Sequence, residues 1–347
     1  MPQRLRIAQV CPLWEQVPPP TYGGIELVVS VLTDELVRRG HEVTLFASGD
    51  STTLATLEFV YPCAIRLVPD AENYTVYELM ELGTLYAKAD QFDIIHSHVE
   101  HAAHAFADLV KTPTVHTLHT MKPDQRKLFS YYQHHPYISI SNAQQQRQPD
   151  LNYLRTVYNG IDLAVHPFHP TPQDPPYLAF VGRMSPEKGP HHAVAIAKET
   201  GARLKMAGKI DPPVREFFET QVQPHIDGEQ IQYLGEVSHT EKIQLLGQAT
   251  ATLFPITYEE PFGLVMIESM STGTPVIAHC MGSVPEVIAD GETGFVCDSY
   301  DEMAMKVYRI ESLSRLACRQ RVEQHFSVTQ MVDGYEAAYY ELLDGHK

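Results

Sequence analysis

Positive charge is scarce in this chain. Lys and Arg together number 26 against 43 Asp and Glu, for a formal net charge of -17. Holding nucleic acid through its phosphates requires a surplus of basic side chains, so a nucleic-acid partner is not expected. The N-terminal half is acidic too: residues 1–163 hold 12 Lys and Arg against 18 Asp and Glu. Stable attachment to an anionic membrane surface is therefore not expected either. No apolar run approaches the roughly 20 residues that span a bilayer. The first apolar stretch, Leu5 to Leu13, is broken by Arg6 and Gln9 and runs into Trp14-Glu15, which is not a signal-peptide cleavage site. Cysteine is sparse: Cys11, Cys63, Cys280, Cys297 and Cys318 are scattered, odd in number and without metal-type spacing. A reduced, cytoplasmic setting is expected.

What is present is ordinary globular material, 44% hydrophobic and 20% charged over 347 residues, enough for two cores. The first 47 residues read as a βαβ unit. "LRIAQVCPL" is a buried strand and "WEQVPPPTYGG" a proline-stiffened loop. Ile25, Val28, Val29, Leu32 and Leu36 recur at helical spacing before Gly40, and "HEVTLFA" is the next strand. Strands ending in histidines follow at 92–98 and 112–119, then "YISIS" and "RTVYNGID". After the proline-rich "HPFHPTPQDPP", which has the composition of a linker or hinge, the pattern restarts at "PYLAFVG". Later strands are expected at "IQYLG", "ATLFPI", "TPVIAH" and "GFVCD". The alternation predicts an α/β protein of two doubly wound domains, with ligands outside the carboxyl ends of the strands.

Two stretches of the second half carry chemistry. In "GRMSPEKG", Ser185 suits an N-cap, Pro186 the first helical position and Glu187 the first turn. Arg183 and Lys188 then flank a helix N-terminus, where a guanidinium fork, a point charge and backbone N–H groups suit a diphosphate. The alternative is two solvated cations beside an ordinary cap. In "EEPFGLVMIESMSTGTPVIA", Glu260 lies on the loop after a strand, a helix begins near Leu264 and Glu268 falls one turn into it. Ionised carboxylates are acceptor-only groups, suited to paired sugar hydroxyls. The main-chain N–H groups from Phe262 through Gly263 and Leu264 to Val265 are placed to face an anion. The alternative is an exposed Glu260 and a Glu268 paired locally.

These stretches resemble the retaining glycosyltransferases of family 4. "FVGRMSPEKG" is similar to that family's Arg/Lys diphosphate motif, and "EEPFGLVMIESMSTGTPVIAHCMGSVPEVIADGETGF" to its E-x7-E region. "YGGIELVVSVLTDELVRRGHEVTLFA" resembles the N-terminal glycine loop. "DIIHSHVEHA", "VHTLHT" and "YNGID" resemble intermediate landmarks, and "FSVTQMVDGYEAAYYELL" the closing helix. The likeness runs in order over nearly the whole chain; Gly282-Ser283 stands where a Gly-Gly pair is common. It implies a GT-B fold, two Rossmann-like domains facing across a cleft. The expected limits are 1–163 with the closing helix 327–347 for the acceptor-side domain, and 164–326 for the nucleotide-sugar domain. It also implies transfer of a hexose from a nucleotide-diphosphate sugar, a UDP- or GDP-sugar, to a hydroxyl acceptor. Configuration is retained, with neither metal nor separate cofactor. Arg183 and Lys188 would neutralise the diphosphate, Glu268 would hold ribose hydroxyls and Glu260 those of the transferred sugar. Gly23 and Gly24 would admit the phosphates, and His119 would sit beside the donor sugar. Main chain near "LGEV", up to Val237, would hold the base. The acceptor stays open among a small molecule, a saccharide and a lipid-linked group.

Rival readings come from other residues. "HSHVEHAAH" (96–104) resembles the metal box of zinc-dependent hydrolases, with Glu100 where Asp is expected, so His96, His98 and His101 are candidate ligands. A non-catalytic sugar-nucleotide binder would use the same Arg/Lys and glutamate pairs. "MKPDQRKLFSYYQHH" (121–135), with Lys122, Arg126 and Lys127, is either an acceptor-lining segment or a solvated basic helix face. The loop with Trp14 and Tyr22 either shapes an acceptor pocket or anchors Trp14 in the core.

Overall fold

The computed structural model describes residues 4–68, 74–100, 102–120 and 125–345. The chain forms two units, Met1–Gly160 with Val328–Lys347, and Ile161–Ser327. Each is built on one parallel sheet.

The first sheet contains β1 (Arg6–Val10), β2 (Glu42–Phe46), β3 (Thr56–Glu58), β4 (Ile94–Ser97), β5 (Thr114–Leu118), β6 (Tyr137–Ser139) and β7 (Tyr153–Thr156). Their order is β3-β2-β1-β4-β5-β6-β7. β4, β5 and β6 are buried along their whole length, as expected of strands covered on both faces. The helix Gly24–Arg38 buries Val28, Val29, Leu32 and Leu36 in the crossover from β1 to β2. The closing helix Val328–Gly345 packs beside it and buries Met331, Val332, Tyr335, Tyr339 and Leu342. Arg39 joins the two helices through Asp333 at 2.7 Å and Glu336 at 2.5 Å.

The second sheet contains β8 (Leu178–Val181), β9 (Leu204–Ala207), β10 (Ile231–Tyr233), β11 (Ala251–Phe254), β12 (Val276–His279) and β13 (Gly294–Cys297). Their order is β10-β9-β8-β11-β12-β13. Phe180, Met206, Leu253, Ile277 and Phe295 belong to one core cluster. In each sheet the chain winds outward in one direction and then restarts on the other side. The strands flanking that reversal are β1 and β4 in the first sheet, and β8 and β11 in the second. Loops leaving the carboxyl ends of such strands form a crevice where open α/β sheets take their ligands.

Three sequence expectations change. The edge strand β3 was not foreseen: it has three residues, none fully buried, so no hydrophobic signal marks it. The proline-rich stretch is not a free linker. Its backbone binds the second unit through His169 N–H to Thr272 O (2.9 Å) and Gln173 N–H to Gln248 O (2.8 Å), and Arg315 donates to His169 O at 2.7 Å. Trp14 is not a core anchor: it is 43% exposed, with an edge contact to Tyr74, while Glu15 and Val17 of the same loop are buried. Among the described residues no helix is long and apolar enough to cross a membrane.

Candidate active site

The loop after β8 carries Arg183 and Lys188. Ser185 does not cap a long helix. Pro186–Lys188 form one 3-10 turn, and the helix proper, Pro190–Thr200, starts only after Gly189. The reason is local. Gly189 is left-handed (φ 74), and a Cβ there would lie 2.0 Å from Pro255 O, so the chain turns where no side chain fits. Among the described residues the buried Ser185 hydroxyl has no hydrogen-bond partner. Met184 N–H donates to Lys209 O (2.9 Å) and Thr257 N–H to Glu187 O (2.9 Å), so neighbouring strand-end loops brace this one. Arg183 is a third exposed and pairs with Glu187 at 3.2 Å.

Glu260, on the loop after β11, is positioned by its own backbone: Ser283 N–H donates to Glu260 O at 3.0 Å. Its carboxylate meets Lys188 Nζ at 2.5 Å. Tyr258 closes a triangle. Lys188 Nζ lies 2.6 Å from its hydroxyl, and that hydroxyl also donates to Glu260. One cation from the β8 loop and one anion from the β11 loop therefore meet at the carboxyl ends of the two strands flanking the reversal. The first glutamate is accordingly 8% exposed and paired, rather than exposed.

Glu268 belongs to a different cluster. It lies in the helix Leu264–Ser271, which starts at left-handed Gly263, and is 2% exposed. Lys242 Nζ holds it at 2.6 Å. Burial pushes the Glu268 pKa up, but the Lys242 charge and hydrogen bond, with help from His166 and His239, outweigh it and keep the carboxyl below its usual range. Burial and the Lys242 charge hold His239 down at about 4. His166 Nδ1 donates to Asp162 O at 2.7 Å, and among the described residues its buried Nε2 has no hydrogen-bond partner. Val237 and Val265 pack on the apolar cluster of Tyr177, Ala179 and Leu245. Phe262 is buried, directly ahead of the helix start formed by Gly263 and Leu264.

Sequence reasoning missed Lys242, Tyr258, His166 and His239. Only Lys242 left a signal: Ser238 and Glu241 form a capping box, which fixes the start of the helix His239–Gln248 and with it the Lys242 position.

In the first unit, Gly23 stands at the N-cap of the helix that Gly24 begins. It has φ 148, and a Cβ would meet Pro19 Cβ at 2.7 Å and Glu26 Oε2 at 3.0 Å. His119 follows β5, with its N–H on Glu100 Oε1 at 3.1 Å and its Nε2 2.8 Å from His98 Nδ1. Burial pushes its pKa down to about 3.

The histidine box does not have the chemistry of a zinc site. His96 is engaged at both ring nitrogens, by Tyr339 and Thr117, each at 2.7 Å. His98 is engaged by His119 (2.8 Å) and Gln9 (3.0 Å). Glu100 is spent on the N–H groups of His119 and Thr120. No lone pair of His96 or His98 is left for an ion. His101 lies outside the described residues, as do Lys122 and the side chain of Arg126. Among the described residues the metal-compatible grouping is Asp108, His134 and His135, with ligand atoms within 4.8 Å of one another.

Comparison with known proteins agrees with this layout. Residues 22–165 match the model of Glycosyltransferase Family 4, and residues 162–324 that of Glycosyl transferases group 1. The chain is 26% identical to the glycogen synthase of Mycobacterium tuberculosis, over 83% of this chain and 81% of that one. It is 25% identical to the D-inositol 3-phosphate glycosyltransferase of Mycolicibacterium smegmatis, over 94% and 88%. AviGT4, a glycosyltransferase involved in avilamycin A biosynthesis, superposes with a TM-score of 0.73 at 25% identity, covering 98% of each chain. With two family models matching in succession and the parallel sheets arranged as described, the chain belongs to the family-4-type glycosyltransferases of GT-B fold.

Proposed function

We propose that the protein transfers a hexose from a nucleotide-diphosphate sugar, a UDP- or GDP-sugar, to a hydroxyl acceptor with retention of configuration. The observation that supports this most directly is the Lys188–Glu260 contact at 2.5 Å, formed by the two strand-end loops flanking the sheet reversal. Lys188 and Glu260 neutralise one another across this contact. A donor replaces that contact: Lys188, with Arg183, takes the diphosphate, and Glu260 takes hydroxyls of the sugar. Fixed cations placed where the leaving group gains negative charge lower the barrier most when water is excluded. In this reading they supply the charge that a metal would otherwise bring. Glu268, kept ionised by Lys242, accepts from the ribose hydroxyls. Main chain at Val237 and from Phe262 to Val265 serves the base and phosphates. Gly23 and Gly24 leave room for phosphate oxygens, and His119 contacts the transferred sugar.

In the chemical step the bond from the anomeric carbon to the diphosphate oxygen breaks. The acceptor oxygen bonds to the same face, and its proton passes to the departing diphosphate. No side chain is assigned as nucleophile. The relatives named above include a glycogen synthase and a D-inositol 3-phosphate glycosyltransferase, so the acceptor is left at the level of a hydroxyl.

The test is a panel of UDP-, GDP- and ADP-sugars, with and without EDTA, read by melting temperature and nucleotide release. One donor that raises the melting temperature and releases nucleotide despite EDTA supports the reading. Stabilisation without release or transfer points to a non-catalytic sugar-nucleotide binder. Release abolished by EDTA refutes metal independence.

A further inference from the structure

His96 and His98 lie with His119 on a single chain of hydrogen bonds, and that chain has a direction. Thr117 Oγ1 donates to Tyr335 OH at 3.3 Å. A hydroxyl has one hydrogen, so Thr117 must accept from the other neighbour, His96 Nε2 at 2.7 Å. Neutral His96 then has a bare Nδ1, which accepts from Tyr339 OH at 2.7 Å. The Tyr339 oxygen in turn accepts from Gln9 Nε2 at 3.1 Å. This leaves Gln9 Oε1 facing His98 Nε2 at 3.0 Å, so that nitrogen carries the hydrogen and His98 Nδ1 is bare. His119 Nε2, 2.8 Å away, must donate to it. The last ring nitrogen, His119 Nδ1, has no hydrogen and, among the described residues, no hydrogen-bond partner.

This order of donors and acceptors holds for neutral rings. Burial holds His96 and His98 well below the usual histidine range, and His119 at about 3. All three rings sit on the ends of β4 and β5 or one residue beyond, and Tyr335 and Tyr339 come from the closing helix. The closing helix thereby sets the proton position on a residue more than two hundred positions earlier.

We propose that this relay fixes His119 as the Nε2–H tautomer, so that its Nδ1 is an obligatory acceptor for a substrate hydroxyl, with Thr117, Gln9 and His98 as positioning residues. The inference rests on the transferase reading for what His119 meets, and it narrows that group. A bare nitrogen lone pair attracts a sugar or acceptor hydroxyl and repels a phosphate or carboxylate oxygen, so the group that docks at His119 is a neutral hydroxyl.

The experiment is long-range 15N–1H NMR of the histidine side chains in the intact protein, with Thr117→Val and Thr117→Ser beside the wild type. In wild type, His119 should show a protonated Nε2 and an unprotonated Nδ1, unchanged from pH 5 to pH 8. Thr117→Val leaves the buried His96 Nε2–H without an acceptor. The ring should move its hydrogen to Nδ1, reversing each link and leaving His119 protonated at Nδ1. Its kcat should fall about tenfold or more, the cost of facing a donor with a donor. Thr117→Ser should keep both the wild-type spectrum and activity. Wild-type His119 protonated at Nδ1 overturns the proposal even if Thr117→Val fails to fold. So does a Thr117→Val protein with an unswitched His119, or with a switched His119 and undiminished kcat. Absence of turnover with every donor would refute the transferase reading, and the hydroxyl assignment with it, while the spectrum still decides the tautomer.

Discussion

Replacing Lys242 by Met tests the electrostatic account of Glu268. The pair is enclosed: the Lys242 side chain is 15% exposed and that of Glu268 is 3%. Methionine keeps most of the volume and removes the charge, leaving a buried carboxylate without its cation. Breaking a buried pair from one side costs about 3–5 kcal/mol. For a unit of this size that corresponds to a fall in melting temperature of about 6 to 20 °C. The pH dependence gives a second, independent check. In wild type the folded Glu268 pKa lies below its unfolded value, so the pair's contribution is complete above the unfolded value, near 4.5. It is lost only as pH falls through the lower, folded value. In Lys242→Met, burial is opposed only by His166 and His239, and the folded pKa rises. Protonation then relieves the mutant at a pH where wild type is still unaffected. The gap in melting temperature should be widest at pH 7 and narrow toward pH 5, as followed by scanning calorimetry. Adding Glu268→Gln to Lys242→Met should recover most of the loss at pH 7, because a neutral amide replaces the orphaned charge. A Lys242→Met protein melting within about 2 °C of wild type at pH 7, below the range just derived, would refute the reasoning. A gap that does not narrow with acid would do the same.

Three further outcomes follow from the structure. Arg183→Ala and Lys188→Ala should each lower turnover about a hundredfold, the usual scale for a contact to a developing charge; near-normal kcat in both would refute the diphosphate assignment. Gly23→Ala should destabilise the first unit by about 1–3 kcal/mol, since it combines a strained backbone with a Cβ 2.7 Å from Pro19; an unchanged melting temperature would show that the loop relaxes freely. Acid should destabilise the first unit below pH 6.5. His119 stays neutral in the fold down to about 3, while the unfolded chain takes up a proton near 6.5. Its share of the stability should therefore fall by about 1.4 kcal/mol per pH unit in that window, and a melting temperature flat from pH 6.5 to 4.5 would contradict a buried neutral ring.

Much of the fold was legible because parallel strands covered on both faces are short continuous apolar runs. β1, β4, β5, β8, β11 and β12 all lie inside stretches read as strands from hydrophobicity alone. β3 escaped because an edge strand with part-exposed side chains carries no such run. The start of the helix at Leu264 was readable from composition. The start near Ser185 was misread, because the glycine at 189, not the serine, decides where that helix begins. The candidate anion-binding cations and the two glutamates were visible as residue types at a spacing. Their partners were not. Tyr258 is two residues from Glu260, but Lys242 reaches Glu268 from another helix, and no local pattern records that contact.

The sequence by itself determined the alternation of strands and helices, the two-domain plan and the charged residues proposed to meet a diphosphate and sugar hydroxyls. Those properties depend on nearest neighbours and on side-chain chemistry. Tertiary structure alone decided which strands flank each sheet reversal, that Lys188 meets Glu260 while Glu268 meets Lys242, and that His96 and His98 are spent on protein partners rather than free for metal. Strand order is set by which hydrophobic faces close over one another, and a buried polar atom takes whichever partner that closure brings to it. Neither is encoded at short range in the chain.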